Sequence, residues 1–245
     1  MRRSFDGYRL LLVWRMNQLR TVMPIVVVLQ TALAVGVVYG LPFLLPQIDP
    51  ITALYLCTGS PTLILLLAGL TIVPQEVAQA RRSGAYDYMR TLPVPPLAHM
   101  AAEVSVWVLA QLPGTVLALL VAALRFHFAL HVSPLVVPAM ALVAVTSAAI
   151  GYALAVRLPV PLVTTISQFT SLALLLFSPI DFPLSRLPAA LQDVHRVLPV
   201  QPMADLVRWS LTGTGEGSVL GALGVTLGWC AASLLACRRV ALARG

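Results

Sequence analysis

Lysine is absent from this 245-residue chain: all sixteen basic residues are arginine. A Walker A loop sets its lysine on the nucleotide phosphates, so a standard P-loop is excluded. Charge of any sign is scarce, at 10% of residues against about a quarter in soluble domains, while 59% are hydrophobic. With a mean hydropathy of +0.89, that balance excludes an ordinary soluble domain and describes an integral membrane protein. The net charge of +7 does not indicate nucleic acid, because the arginines sit beside apolar runs instead of forming one patch; membrane topology explains them better. Cysteine is also rare. Cys57, Cys230 and Cys237 lie in or beside apolar runs with no CxxC, which excludes a disulfide framework or a zinc site and leaves small apolar packing. Arg2-Arg3-Ser4-Phe5 faintly resembles a twin-arginine signal, but Asp6, Arg9 and Arg15 interrupt the apolar core that a cleavable signal needs.

What is present is apolar length. Six runs, at residues 22–45, 51–73, 104–124, 135–156, 162–180 and 219–237, are each long enough to cross roughly 30 Å of hydrocarbon. Ahead of them, Phe5, Tyr8, Leu12, Met16 and Leu19 recur at spacings of three and four. Asp6, Arg9, Asn17 and Arg20 fall largely opposite, although Arg15 and Gln18 blur the boundary. This is the pattern of an interfacial amphipathic helix over 4–21, with Tyr8 and Trp14 suited to headgroup depth. Arginine placement sets the orientation. With the N-terminus inside, Arg2, Arg3, Arg9, Arg15, Arg20, Arg81, Arg82, Arg90, Arg157, Arg238, Arg239 and Arg244 are cytoplasmic. Only Arg125, Arg186, Arg196 and Arg208 lie outside. The positive-inside rule therefore puts both termini and residues 74–100 in the cytoplasm.

The 74–100 segment, PQEVAQARRSGAYDYMRTLPVPPLAHM, is the longest charged stretch between two apolar runs. Glu76, Gln79, Ser83, Asp87 and Arg90 form one polar stripe on a helix, flanked by Arg81 and Arg82, until Pro93, Pro95 and Pro96 stop it. This predicts a short helix at the membrane surface with one face offered to a soluble partner; the alternative is a solvated helix that merely joins two spans. Residues 181–217 mix prolines with short apolar runs. They predict two short outer helices, near 187–198 and 203–211, broken at Pro199 and Pro202 and either re-entrant or an ordered surface loop.

Polar groups inside spans are costly enough to be functional candidates, though uncharged ones also serve as interhelical hydrogen bonds. The fifth run opens with Thr164, Thr165, Ser167, Gln168, Thr170 and Ser171, and Gln30, Thr58, Ser60 and Gln111 add single groups elsewhere. Gly36-x-x-x-Gly40 and Gly224-x-x-x-Gly228 make small-residue stripes that permit close helix approach. Glu103, at the cytoplasmic edge of the third span, is either a proton-coupling group or the partner of a nearby arginine. His127 and His131 are four apart but lack a third ligand, so metal binding is not expected. No nucleophile–base pair occurs at a motif-like spacing, so this chain is not expected to be an enzyme.

The ordered combination resembles a known family. The N-terminal amphipathic helix ending in Trp14-Arg15, six spans, and the run Glu76…Arg82-x-Gly84…Tyr88…Thr91-Leu92-Pro93-Val94 look like the first half and inner loop of ABC-2 type exporter permeases. Phe177-Ser178-Pro179-Ile180…Pro183…Leu187-Pro188, then Leu198-Pro199…Pro202…Arg208, is similar to that family's segment before its last span. Within the family the chain looks closest to membrane subunits of daunorubicin-resistance, multidrug-export systems. The resemblance implies an all-α permease in the cytoplasmic membrane that pairs with a second, identical or different permease and with two ATP-binding subunits. ATP and Mg²⁺ then belong to those partners, and this chain holds no cofactor of its own. It also implies a coupling helix over Glu76 to Arg90, and re-entrant outer helices closing the exit. The solute pathway between the two permeases then falls on Gln30, Thr58, Ser60, Thr165 and Gln168. The implied cargo is a small hydrophobic drug, antibiotic or lipid-like solute; lipid-linked glycan export and gradient-driven transport are the alternatives, the last needing deep intramembrane charge.

Overall fold

Proline and glycine punctuate an otherwise continuous helical chain, and the helix boundaries follow them. The computed structural model describes residues 2–40, 49–91, 94–126, 133–215 and 217–243, and those residues contain helices and no strand. Helix α1 spans Arg2–Leu19; α2, Met23–Val35, starts with Pro24 in its first turn and runs on through a wide turn at Gly36–Gly40. Helix α3, Pro50–Leu67, is capped by Asp49, whose side chain accepts the Thr52 N–H at 3.1 Å, with Pro50 already preset for the first helical position.

Helix α3 does not end with its apolar run. It passes through a wide turn at Ala68–Ile72 into α4, Val73–Arg82, as one rod from Pro50 to Arg82. The cause of the wide turn is Pro74: its ring cannot donate and would strike the carbonyl one turn back, and an i→i+5 turn moves that carbonyl aside without breaking the helix. Gly84, at φ +74°, then ends the rod. Helix α5 is Ala85–Thr91, α6 Pro96–Phe126, α7 Val136–Arg157 and α8 Val160–Phe177. Beyond a single 3₁₀ turn at Leu184–Arg186 come α9, Ala189–Val197, and α10, Val200–Thr212, which stops at Gly213 with φ +70°. Helix α11 spans Val219–Ala243.

Six helical stretches are long and apolar enough to cross a membrane: Met23–Gly40, Pro50–Arg82, Ala98–Arg125, Val136–Arg157, Val160–Phe177 and Val219–Arg239. The chain is an all-α, multi-pass membrane protein with the six spans expected from its apolar runs. Helix α3 is the axis of the bundle: Leu56, Leu63, Leu65 and Leu66 are buried, packed with Val143 and Ala144 of α7 and with Met203, Val207 and Leu211 of α10. Helices α3 and α7 come so close that a Cβ at Gly69 would collide with Ser147, and one at Gly151 would collide with the Gly69 carbonyl. At that crossing the Ser147 hydroxyl donates to the Leu65 carbonyl at 3.2 Å.

The bundle has two distinct ends. The near end carries α1, α4, α5 and the α7–α8 junction, tied together by Tyr8 to Ser105 and Arg81 to Leu158; the far end carries Asp49, residues 178–188 and the close of α10. Three expectations are corrected here. The polar stripe from Glu76 to Arg90 is not one helix face, because Gly84 splits it, and its first half extends span two instead of being a separate surface helix. The third helix starts at Pro96, ahead of the apolar run and not stopped by the prolines, since a proline at the first helical position begins a helix as readily as one inside stops it. The outer pair breaks at Leu198-Pro199 alone, Pro202 being tolerated in the first turn of α10. Part of the first expected span, 41–45, and both His127 and His131 lie outside the described residues.

Candidate functional site

At the near end the polar residues of α4 and α5 separate into two groups. Glu76, Gln79, Arg82, Ser83 and Asp87 are exposed, as is Tyr88, while Val77 and Ala78 on the opposite side of α4 are buried against α6, α7 and α8. Arg90 lies in α5. Both arginines of α4 nonetheless bond to neighbouring helices, Arg81 from a half-buried position and Arg82 from an exposed one. Arg81 Nη1 donates to the Ala155 and Leu158 carbonyls at 2.5 and 2.7 Å, capping the last turn of α7 where unsatisfied carbonyls and the helix dipole both favour a cation. Arg82 Nη2 donates to Thr164 Oγ1 of α8 at 2.9 Å. The exposed stripe is thus fastened at its end to two transmembrane helices.

Helix α1 is fastened to the same end. Arg15 donates to both Glu103 carboxylate oxygens, at 2.8 Å from Nε and 2.5 Å from Nη2, and Trp107 Nε1 donates to Oε1 at 3.2 Å. Glu103 is almost fully buried, and pairing with an arginine is the outcome its position at the span edge offered. Arg15 blurred the α1 stripe for the same reason: it lies on the packing face because its partner is there. The Tyr8 hydroxyl adds a bond to Ser105 Oγ at 3.0 Å.

The residues expected to line a pathway do not converge within the chain. Gln30 is buried against Gly114 of α6 with its Oε1 unpartnered. Thr58 and Ser60 are buried in α3. Thr165 and Gln168 lie on the exposed side of α8, beside Phe169 and Leu172, which are exposed too. The small-residue stripes also face outward: nothing lies within 4 Å of a Cβ built on Gly36, Gly40, Gly224 or Gly228.

The far end holds a constellation that sequence reasoning passed over. Arg208 is the largest fully buried side chain. Its Nε donates to Thr58 Oγ1 at 3.2 Å, Nη1 to Asp205 Oδ1 at 2.6 Å and Nη2 to the Ile180 carbonyl at 2.9 Å, and its guanidinium lies 3.8 Å from the Tyr55 ring centre. Gln201 Nε2 donates to the other Asp205 oxygen at 3.0 Å. One planar cation therefore joins α3, α10 and the segment after α8, a use that suits the fork geometry and weak hydration of arginine. The signal was present as Asp205-x-x-Arg208 inside an apolar helix, an i,i+3 pair that only burial makes significant. Helices α9 and α10 form a hairpin whose exposed turn lies alongside α11: the Val197 carbonyl accepts from Trp229 Nε1, ten residues or about 15 Å along that helix.

This architecture agrees with the match found by comparison. No curated protein matches the chain, whereas the protein-family model described as ABC-2 family transporter protein matches residues 47–238, from just before α3 into the last turns of α11. Those residues include the α3–α4 rod, the near-end stripe and the far-end hairpin. This membrane protein belongs to the ABC-2 transporter family and is the permease component of an ABC transporter.

Proposed function

We propose that the chain is the permease half of an ATP-driven exporter, with its near end in the cytoplasm and its far end outside. The observation that carries this reading is the α3–α4 rod. One helix runs from the buried centre of the bundle to an exposed polar stripe, so a force applied at Glu76 and Gln79 is delivered to the core along a single rod. The arginine bias of the near-end segments supports the orientation. The absent lysine requires the ATPase to be a separate subunit holding ATP and Mg²⁺.

In this mechanism the ATPase subunits close on ATP and press on the stripe. Arg81 and Arg82 carry the displacement to α7 and α8, and two permeases rock to open the far end. ATP drives the change only because the closed ATPase binds one permease state better than the other. The outward-facing glycine stripes of α2 and α11 and the open polar side of α8 support a second permease as neighbour. Thr165 and Gln168 would then face the pathway between the two, and the apolar surroundings of that face favour a hydrophobic, drug-like or lipid-like solute. The α9–α10 hairpin is the re-entrant closure of the exit.

The test is co-purification of the full chain from its host in mild detergent. A P-loop ATPase is expected with the native chain and is expected to be lost from Gln79→Ala/Asp87→Ala, two exposed changes that leave the thermal midpoint unmoved. Failure to recover any ATPase with the native chain refutes the exporter reading.

A further inference from the structure

The far-end cluster contains a carboxylate that its neighbours do not satisfy. Asp181 is buried in the turn after α8, pressed onto α3 so closely that a Cβ at Gly59 would collide with its Oδ1 and lie 2.7 Å from the Ile180 carbonyl oxygen. That Oδ1 has no hydrogen-bond partner. The nearby cation is aimed elsewhere: the hydrogen bonds of Arg208 go to Thr58, Asp205 and the Ile180 carbonyl, and none goes to Asp181. The neighbouring hydroxyls do not help, since Ser60 and Ser178 are buried and unpartnered themselves. An ionised carboxylate in such a place bears a desolvation cost that no hydrogen bond to Oδ1 offsets, whereas the protonated acid is neutral and fits the same volume.

We propose that Asp181 is a proton-binding site of the far end, occupied while the α9–α10 hairpin is seated on α3 and emptied to the aqueous side when the hairpin lifts. Arg208 of α10 donates both to Thr58 of α3 and to the Ile180 carbonyl next to Asp181, so the seated hairpin holds the turn that carries Asp181 against α3. The charged and titratable groups facing this site are few. They are Arg208, whose charge acts on the Asp181 carboxyl, with its partner Asp205 on α10 and Tyr55 of α3 beneath the guanidinium; α8 contributes none, and the Asp49–Arg186 pair lies at the start of α3. Burial pushes the Asp181 carboxyl from 3.8 up to about 7, with Arg208 pulling it partly back. The seated state holds the proton more tightly than the lifted state, so seating is favoured at acid pH. That preference is lost as pH rises through about 7. Between about pH 8 and pH 5 the seated-to-lifted ratio rises on the order of a hundredfold.

The inference concerns this chain alone and can be tested without an ATPase, so it stands or falls separately from the exporter reading. Infrared difference spectroscopy of the purified chain in nanodiscs, with aspartate carboxyls isotopically labelled, reads protonated aspartic acid directly. A protonated-aspartate band present at about pH 6, titrating away near 7 and missing in Asp181→Asn, is the expected result. No such band in the wild-type chain overturns the proposal whether or not the variant folds. Hairpin seating is read in a background lacking Cys57, Cys230 and Cys237 by the maleimide labelling rate of Ala204→Cys, a buried α10 position. Its ratio to the same rate in Asp181→Asn is expected to fall on acidification, and a pH-independent ratio overturns the coupling.

Discussion

Replacing Arg208 by leucine tests whether the far end is held by its buried cation. The substitution removes three hydrogen bonds and the contact with Tyr55, and leaves the Asp205 carboxylate buried beside Gln201. Removing one partner of a buried ion pair costs about 3–5 kcal/mol, because the remaining charge is left uncompensated. For a chain of this size each kcal/mol moves the thermal midpoint by about 2–4 °C, so a fall of roughly 6–20 °C is expected. The three free, buried cysteines, Cys57, Cys230 and Cys237, supply the assay, since a thiol-reactive dye reports their exposure on unfolding. Asp205→Leu/Arg208→Leu removes both charges. It leaves the Ile180 carbonyl without its donor and Gln201 Nε2 without its acceptor, neutral groups at about 1–3 kcal/mol each in place of a bare buried charge, so the double variant is expected to melt above Arg208→Leu alone. An Arg208→Leu midpoint within roughly 2 °C of wild type, or a double variant as unstable as the sum of its parts, would refute the reasoning.

Two other changes probe the near end and the core. Arg81→Ala leaves the Ala155 and Leu158 carbonyls uncapped and is expected to cost about 1–2 kcal/mol, the lower part of the range for charged hydrogen bonds because the site is partly open. In the reconstituted transporter it should lower solute-stimulated ATP hydrolysis without releasing the ATPase, and unchanged stimulation would argue against Arg81 as a link to α7. Gly69→Val drives a branched side chain into Ser147 at the α3–α7 crossing. Overpacking there is expected to cost about 1–3 kcal/mol or more, visible as a lowered midpoint; a wild-type midpoint would mean the helices separate freely at that point.

Much of the fold was legible because its signals are local. Six apolar runs of spanning length, the Asp49-Pro50 helix start and the alternation of apolar and polar residues in α1 each depend on neighbours within a few positions. The charged segment from Glu76 to Arg90 was legible in composition but not in geometry. A periodic stripe extends through Gly84 on a helical projection, and only the positive φ of that residue shows that the stripe changes direction. In the same way, counting Arg81 and Arg82 as surface charge was reasonable from sequence, since nothing local shows that α7 ends beside them.

The sequence by itself determined that this is a membrane protein without a nucleotide-binding loop, how many times it crosses and where its charge is concentrated. Hydrophobic length, a missing residue type and arginine placement do not depend on what folds against what. Only the tertiary structure decided which polar residues are joined. Arg15 meets Glu103 across 88 positions, and Arg208 meets Thr58 across 150. The physical reason is that a charge in an apolar helix acquires its role from the group that compensates its burial, and that group is brought by chain packing from elsewhere in the sequence.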